Sequence, residues 1–499
     1  MAIVLNVLAI LLPAHLGLAQ SSTPVEIIHA DEFEFFSLGG MKVRRLSGHV
    51  HLRQGDATLY CQRADYYLHE NRIVASGQVH IIQSDTVHAH AEQLNYDGRT
   101  RQARLTGKVK LSDGHLTLYT DELDYDLNAR QASYRTGGQV VSQESELTSR
   151  QARYHLPLRA VRFVHDVKLF HPDFFLQTDS LLFHTEKRIC YFIAPVYMYN
   201  DSGSIYCRRG YYDLQREEAL FADRAAMQQK GRRLNADSIY YYRPSAKLVA
   251  KRNVIWADST AQLTVRAGLL SYEEKTDRFQ AADHVLVSTT AGGDSLFVRS
   301  DTLWSFPNSN AGGRRLIAYP QVRLYSDGLQ GVCDSLVYSA PDSTFYFYHN
   351  PVLWAEGYQL YADTIRLSLK DRRLHRLLLH QNAFAANAAG PDQYNQAKGK
   401  TITGHFREGR IDHMEIDGNG ESIYHVYDDH NNYVGINRVA CGSMLISFDT
   451  IGKVWRIFFR QQPEATLFPP AQLPPEESRL RQFVWKEALR PQRKEDLLP

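Results

Sequence analysis

The sequence predicts an all-β protein made of stacked, strand-rich repeats. A valine recurs at intervals of about 30 residues, and periods of this order are typical of stacked repeat architectures. Between the valines, polar and apolar residues alternate as they do along half-buried strands. The 29 tyrosines and 22 phenylalanines, against 6 methionines, also favour strands over helices. We therefore expect one long series of short strands.

Each repeat has a recognisable order of residues. Glycine precedes the recurring valine by two positions in the four clearest copies, and this glycine drifts in the later ones. A tyrosine-acid turn follows several of the valines, as at Tyr96-Asp97-Gly98. Between valine and turn, alternation such as that from His115 to Tyr125 places successive side chains on opposite faces. Each repeat is therefore predicted to hold a few strands, with one face covered by the neighbouring repeats. The recurring valines are Val50, Val79, Val109, Val140, Val167, Val196, Val254, Val285, Val322 and Val352.

The N-terminus carries a predicted secretory signal peptide, residues 1–19. Residues 2–12 are almost continuously apolar, and Gly17-Leu18-Ala19 supplies the small residues that a signal peptidase requires. A buried N-terminal element is the alternative. No cysteine follows Ala19, so a lipoprotein anchor is not expected. No later stretch is apolar for the roughly 18 residues that a membrane-spanning helix needs.

Net charge and cysteine placement argue against a nucleic-acid-binding protein and against a protein held together by disulfides. A formal net charge of +2 gives no global electrostatic reason to expect a nucleic acid partner. Cys61, Cys207 and Cys333 follow a repeat valine at the same interval, so they should occupy equivalent positions in different repeats. Disulfide formation needs Cα atoms within about 7 Å. We interpret these cysteines as small buried apolar residues, and a bridge that involves Cys190 or Cys441 stays open.

No residue pattern indicates an enzyme, a metal site or a cofactor. The pairs His49/His51 and His88/His90 could hold a metal on one strand face, but the sequence fixes no third ligand, so exposed strand faces are favoured. An acid also recurs in similar contexts in nearly every repeat. Such repetition indicates a structural device, which we expect to satisfy backbone N–H groups at a strand bend. These acids are Asp65, Asp121, Asp179, Asp237, Asp301, Asp334 and Asp363. Motifs for nucleophilic, phosphate-binding or zinc-protease chemistry are not found.

The repeat resembles the OstA/LptA-like proteins of Gram-negative bacteria. The resemblance is carried by the phrase Gly-x-Val-x-Leu/Ile, an alternating strand and a Tyr-Asp turn, clearest from Gly48 to Val140 and fainter to about residue 385. It implies an elongated, repetitive β-jelly-roll or "β-taco", in which the strands fold over into an open-sided apolar groove. It also implies a non-enzymatic periplasmic bridge on which lipopolysaccharide travels toward the outer membrane. Other bridge proteins and outer-membrane translocon proteins would be its partners.

The recurring valine and the Leu or Ile two positions later are the candidates for the lining of this groove. Lipid A acyl chains would lie against them, and burial contributes about 0.8 kcal/mol per CH₂. A closed core is the alternative. Unpaired strands at each end would also favour end-to-end self-association. A secreted structural or polysaccharide-interacting β-solenoid is the rival function. The lining candidates are Val50, Leu52, Val79, Ile81, Val109, Leu111, Val167, Leu169, Val322 and Leu324.

Four segments are expected after the signal peptide. Residues 20–180 carry the OstA/LptA-like repeats, and residues 181–385 carry further divergent repeats of the same type. Residues 386–465 form a divergent β region. Residues 466–499 comprise a Pro-rich linker and a charged tail. For this tail, a helix with Leu480, Phe483, Val484 and Leu489 on one side and a mobile segment are both open.

Overall fold

The computed structural model describes residues 25–498, except 55–56, 84–86, 113–116, 143–144, 292–293, 308–312, 372, 429 and 431. The predicted signal peptide lies outside the described residues. Contacts divide the chain into two compact units, Met1–Lys230 with Asp237–Pro244, and Gly231–Ala236 with Ser245–Pro499. Both units are built from antiparallel strands, which confirms the predicted all-β class. No helix in the described residues is long and apolar enough to span a membrane.

The first unit contains strands β1 to β19, and β20 (Arg232–Tyr242) contributes residues to both units. The strands of the first unit are β1 (Glu26–His29), β2 (Glu32–Leu38), β3 (Met41–Gln54), β4 (Ala57–Tyr67), β5 (Arg72–Gln83), β6 (Val87–Asp97), β7 (Gln102–Ser112), β8 (Thr117–Asp126), β9 (Gln131–Tyr134), β10 (Gly138–Val141), β11 (Glu146–Ser149), β12 (Gln151–His155), β13 (Ala160–His171), β14 (Phe174–His184), β15 (Ile189–Phe192), β16 (Val196–Asn200), β17 (Gly203–Cys207), β18 (Arg209–Asp213) and β19 (Glu218–Gln229).

The second unit contains strands β21 to β38 and four short 3₁₀ turns near its C-terminus. The turns span Pro470–Gln472, Pro475–Ser478, Glu487–Leu489 and Lys494–Leu497. The strands are β21 (Lys247–Asp258), β22 (Leu263–Glu273), β23 (Arg278–Ala291), β24 (Asp294–Pro307), β25 (Arg314–Tyr319), β26 (Val322–Tyr325), β27 (Leu329–Cys333), β28 (Ser335–Ser339), β29 (Thr344–Tyr348), β30 (Val352–Ala355), β31 (Tyr358–Tyr361), β32 (Thr364–Lys370), β33 (Arg373–Gly390), β34 (Gln393–Arg407), β35 (Arg410–Tyr427), β36 (Tyr433–Phe448), β37 (Val454–Arg460) and β38 (Glu464–Phe468).

Strands in both units bend near their middle, so that the two halves of a strand lie in different walls. In β3, residues 41–47 pair with β2, whereas residues 51–53 pair with β1. We call the halves that hold Val50 and its equivalents the second wall, and the other halves the first wall. Some strands run through the bend with a register shift, as β13 and β21 do. Others are interrupted there, so that β9 and β10 are the two halves of one bent strand.

Two consecutive residues with a left-handed backbone form the bend in many of the alternate strands. Gly48 and His49 have φ of 77° and 45°, and His165 and Asp166 have φ of 63° and 54°. The neighbouring strand supplies one residue against these two, because Ser47 pairs with Arg63 and Val50 pairs with Cys61. This two-against-one count is a β-bulge, which bends the strand that carries it. Asn, Asp and His adopt this backbone more readily than other residues with side chains. Residues with side chains can therefore replace the repeat glycine at later bends.

Glycine is required where the left-handed backbone coincides with a close neighbour. A Cβ atom on Gly77, whose φ is 75°, would lie 2.5 Å from Oε1 and 2.8 Å from Cβ of Gln62 on the adjacent strand. Glu92 crowds Gly107 in the same way, with its Cβ at 2.7 Å from the added atom. The glycines of the clearest repeat copies thus permit both the bend and the close stacking of successive bends.

The repeated acids lie mostly at the bend, and four of the seven contact polar side chains. Each Asp363 carboxylate oxygen accepts a hydrogen bond of 3.1 Å from Nδ2 of Asn382. Asp179 and Asp334 lie 3.5 Å and 3.8 Å from ring nitrogens of His165 and His349. Asp65 lies on the wall and pairs with Arg45 at 2.7 Å and Arg63 at 3.1 Å. For these four carboxylates the structure shows side-chain partners in place of the predicted backbone N–H groups.

The C-terminal tail of the second unit is an extended strap, residues 470–498. It contains only 3₁₀ turns, so the helix considered for Glu476–Arg490 is not formed. Pro470 and Pro475 each lie at the start of a turn, a position where the missing N–H of proline costs no hydrogen bond. The strap lies over the outer face of the second wall. There it covers an apolar cluster in which Leu480 packs with Phe384, Ala386, Ile423 and Ile436.

Three buried glutamines of the second wall hold the strap. Gln359 is 0% exposed; its Nε2 donates to the Val484 carbonyl at 2.8 Å and its Oε1 accepts from the Lys486 amide at 2.6 Å. Gln396 likewise donates from Nε2 to the Ser478 carbonyl at 3.1 Å and accepts at Oε1 from the Leu480 amide at 2.8 Å. Gln330 Oε1 accepts two hydrogen bonds, of 3.0 Å and 2.8 Å, from the Arg490 guanidinium. Backbone groups that would otherwise be unsatisfied are thereby paired.

Replacement of Gly77 by alanine tests the bend. We expect the left-handed backbone to cost about 1–2 kcal/mol, and the contact with the Gln62 Cβ to add to that loss. The control is Gly137→Ala, because Gly137 has φ of 94° and an added Cβ atom meets nothing within 4 Å. Urea unfolding should show a larger loss for Gly77→Ala. Equal losses would contradict the close stacking of the bends.

The Gln359→Ala variant tests the strap. It removes two hydrogen bonds and leaves two backbone groups of the strap unpaired, at an expected cost of about 2–4 kcal/mol. Hydrogen exchange at the Val484 and Lys486 amides should accelerate more than exchange in the first unit. The matched control is Gln93→Ala, because Gln93 is an exposed glutamine of the first unit. Unchanged exchange in the strap would show that the glutamine does not hold it.

Candidate functional site

The candidate site is the apolar interior between the two walls. The first residue after each bend points its side chain into this interior. In β3, Val50 and Leu52 come directly after the left-handed pair and are 1% and 5% exposed. The exposed Arg53 and the half-buried His51 alternate with them. The bend thus fixes which side chains of each half-strand point inward, because alternation along a strand leaves no other choice.

The structure places the ten lining candidates in the interior rows, and all of them except Ile81 are buried. Val109 and Leu111 are each 1% exposed, and Val167 and Leu169 are 0% and 3% exposed. Ile81 is half-buried. The remaining candidates, Val79, Val322 and Leu324, are buried to the same degree. A role in binding lipid stays a prediction for all ten.

The second wall of the first unit carries an unbroken row of apolar side chains that face each other across successive strands. Sequence reasoning found only the members on every second strand, because the intervening strands carry no glycine-valine motif. In cross-strand order the row is Leu52, Leu59, Ile81, Ala89, Leu111, Leu118, Val140, Leu147, Leu169, Leu176, Met198, Ile205 and Met227.

Exposure varies along this row, which we call the apolar row. Its middle members, such as Leu111 and Leu147, are 1% exposed. Leu59 and Ile81 near one end, and Met198, Ile205 and Met227 at the other end, are half-buried. Opposite it, the first wall supplies a parallel set of buried residues: Leu46, Ala64, Ala75, Leu94, Leu105 and Leu123. The interior is therefore apolar on both sides and most accessible at the ends of the row.

The cysteines behave as buried apolar residues. All five are free and buried, and Cys61 and Cys333 lie directly opposite Val50 and Val322. Burial raises the pKa of the Cys61 thiol to about 11 and that of the Cys190 thiol to about 12. A thiol that stays protonated at neutral pH is a poor nucleophile and a poor metal ligand. The interpretation of the in-phase cysteines is confirmed, and neither Cys190 nor Cys441 forms a bridge.

His51, His80 and His90 lie on the outer face of the second wall, where Tyr60 joins His51 to His80 across the strands. His49 belongs to the left-handed bend and lies 2.8 Å from Asp31, so it does not share a face with His51 as alternation predicts. His80, which the sequence did not single out, stacks on His90 at 4.1 Å. Burial is the main cause that lowers the pKa of both His80 and His90, and neighbouring positive charges add to it. These rings are therefore neutral at pH 7 and pack as aromatic groups.

These features define a class of protein: an all-β chain whose bent antiparallel strands enclose apolar side chains between two walls. Residues 22–179 match the profile of the OstA-like protein family. This part of the chain is similar to OstA-like proteins, as its repeat motifs predict. The matched range contains the members of the apolar row from Leu52 to Leu176.

Comparison with solved structures finds LptH, "the LptA homologous periplasmic component of the conserved lipopolysaccharide transport device from Pseudomonas aeruginosa". The two chains are 12% identical, and the likeness covers 21% of this chain and 79% of LptH with a TM-score of 0.19. A likeness of this size carries no conclusion about function. No protein with a curated function matches the chain.

The Leu111→Ala variant measures how tightly the interior is packed. Removal of a buried leucine side chain should lower the free energy of unfolding by about 2–5 kcal/mol, because the interior loses both burial and contacts. Lys110→Ala on the same strand is the control, since Lys110 is exposed and should change stability by no more than about 0.5 kcal/mol. Urea unfolding of the two variants checks this. Similar small losses in both would indicate an interior that is loosely packed and readily opened.

Proposed function

We propose that the chain is a non-enzymatic, periplasmic lipopolysaccharide-binding bridge that carries lipopolysaccharide toward the outer membrane. The observation that supports this most directly is the unbroken apolar row of the first unit, with half-buried members at each end. The OstA-like match over residues 22–179 supports the same function.

Acyl chains of lipid A are the proposed ligand of the interior. Each buried CH₂ contributes about 0.8 kcal/mol, so a chain of a dozen carbons gains about 10 kcal/mol on leaving water. Entry requires the two walls to separate along the apolar row, which costs the contacts they make with each other. Both surfaces stay covered in the lipid-bound state, because the acyl chain replaces the facing wall. Ile81 and Leu59 are the proposed first contacts.

Edge strands are the proposed surfaces for neighbouring bridge proteins. Among the described residues, β1 and β2 pair only with β3, and Phe33 and Phe35 on β2 are 50% and 60% exposed. In the second unit, β37 and β38 pair only with β36 in the described part of the chain, and Trp455 on β37 is 64% exposed. An unpaired strand offers backbone hydrogen bonds to another strand. We propose edge-to-edge pairing with another protein of this fold or with a second copy.

A secreted structural β-solenoid is the second candidate, because one observation favours it. Most of the lining is buried, including Val109 at 1% and Val167 at 0% exposure. A purely structural solenoid would keep this interior closed under all conditions. The two functions therefore differ in whether the walls separate when lipopolysaccharide is present.

Site-specific photo-crosslinking distinguishes the two functions. A photoreactive phenylalanine analogue at Val109 or Val322 should form adducts with purified lipopolysaccharide, because both side chains lie in the interior. The matched controls are Lys110 and Arg323, which are exposed neighbours on the same strands and should form few adducts. Adducts are detected as mass-shifted bands that react with an antibody to lipopolysaccharide.

The outcome decides between the candidates. Strong labelling at both interior positions and weak labelling at both controls supports the bridge. Equal labelling at interior and control positions indicates nonspecific surface adsorption and contradicts the proposal. No labelling at either interior position, with circular dichroism unchanged, favours the closed structural solenoid.

A further inference from the structure

A cluster of two histidines and one glutamate lies on the outer face of the first wall in the second unit. His413 and Glu415 are two residues apart on β35, and His405 on β34 pairs directly with His413. Met414 and Ile416, which alternate with them, are buried at 4% and 0% exposure. The two histidines and the glutamate therefore share the outward face, away from the apolar interior.

The three side chains already converge on one point. A ligand atom from each, a ring nitrogen or a carboxylate oxygen, lies within 4.8 Å of the ligand atoms of the other two. His405 Nε2 and Glu415 Oε2 are 3.5 Å apart, close to the separation of two ligands around a tetrahedral zinc ion, about 3.4 Å. His405 Nε2 is also buried without a hydrogen-bond partner. A buried nitrogen in this state is costly unless something binds it.

Asp412 supplies the orientation that a metal-binding histidine usually has. Its carboxylate lies 2.7 Å from Nδ1 of His413. When Nδ1 donates its proton to this carboxylate, the lone pair of Nε2 is available to a metal ion. A carboxylate that holds the second ring nitrogen in this way fixes the tautomer and raises the basicity of the ligand.

We propose that His405, His413 and Glu415 bind one divalent transition-metal ion of the zinc class, with Asp412 as the positioning residue. Two imidazoles and one carboxylate are a ligand set that zinc accepts, with water at the fourth position. The ion would join β34 to β35 near the turn that connects them. This site is separate from the apolar interior and does not depend on the proposed lipid function.

The test uses the full-length chain, freed of metal with a chelator and titrated with Zn²⁺ by calorimetry. We expect one tight site that is lost in His413→Ala and in His405→Ala. Asp412→Asn should retain the site with about 10–100-fold weaker affinity, because the ring of His413 loses the carboxylate that orients it. Substitution with Co²⁺ should give the visible absorption of a four-coordinate ion in the parent protein but not in His405→Ala or His413→Ala.

His80→Ala is the matched control, because His80 stacks with His90 in the other cluster of histidines and is remote in sequence from the site. It should leave the tight site unchanged. Circular dichroism and thermal unfolding without metal show whether each variant folds. His413→Gln provides a second variant of similar size if His413→Ala does not fold. Zinc binding that persists in folded His405 and His413 variants, or no stoichiometric binding by the parent protein, would overturn the proposal.

Discussion

The left-handed pair at the bend is the constraint on which the rest of this structure depends. Two residues such as His165 and Asp166 oppose one residue of the neighbouring strand, and the extra residue turns the strand into the second wall. The same pair resets the alternation of side chains. Whichever residue follows it points inward, and the next one points outward. A shift of one residue in the bend would exchange the inner and outer faces of the half-strand.

This dependence explains which parts of the fold could be predicted from the sequence. The recurring valine and the alternation indicated stacked strands correctly. Val109 and Leu111 follow a glycine that marks the bend, and both are buried. In later copies the bend uses residues with side chains, so the phase is harder to recognise. The pair His349-Asn350 is followed by Pro351, which makes Val352 an outward residue. The recurrence of a valine alone therefore does not show which face of the strand it occupies.

Other features of the site were beyond the reach of sequence because they arise between strands. The intervening members of the apolar row, such as Leu118 and Leu147, carry no motif and are identified only by their cross-strand partners. The convergence of His405 with His413 likewise depends on the register of two long strands. Local patterns fix the period of a strand, but the register of a pair depends on where each bend and turn falls.

The outer faces of the second wall show how the two units treat exposed surface differently. In the first unit, the positions that directly follow inward valines include His51, His80, Lys110 and Lys168, and these polar groups need no cover. In the second unit, the corresponding outward positions include Phe384 and Ala386, which pack against Leu480 of the strap. The three glutamines beneath the strap satisfy its polar groups in an otherwise apolar setting. The strap thus covers part of the apolar outer face of the second unit, whereas the apolar interior is covered by the facing wall.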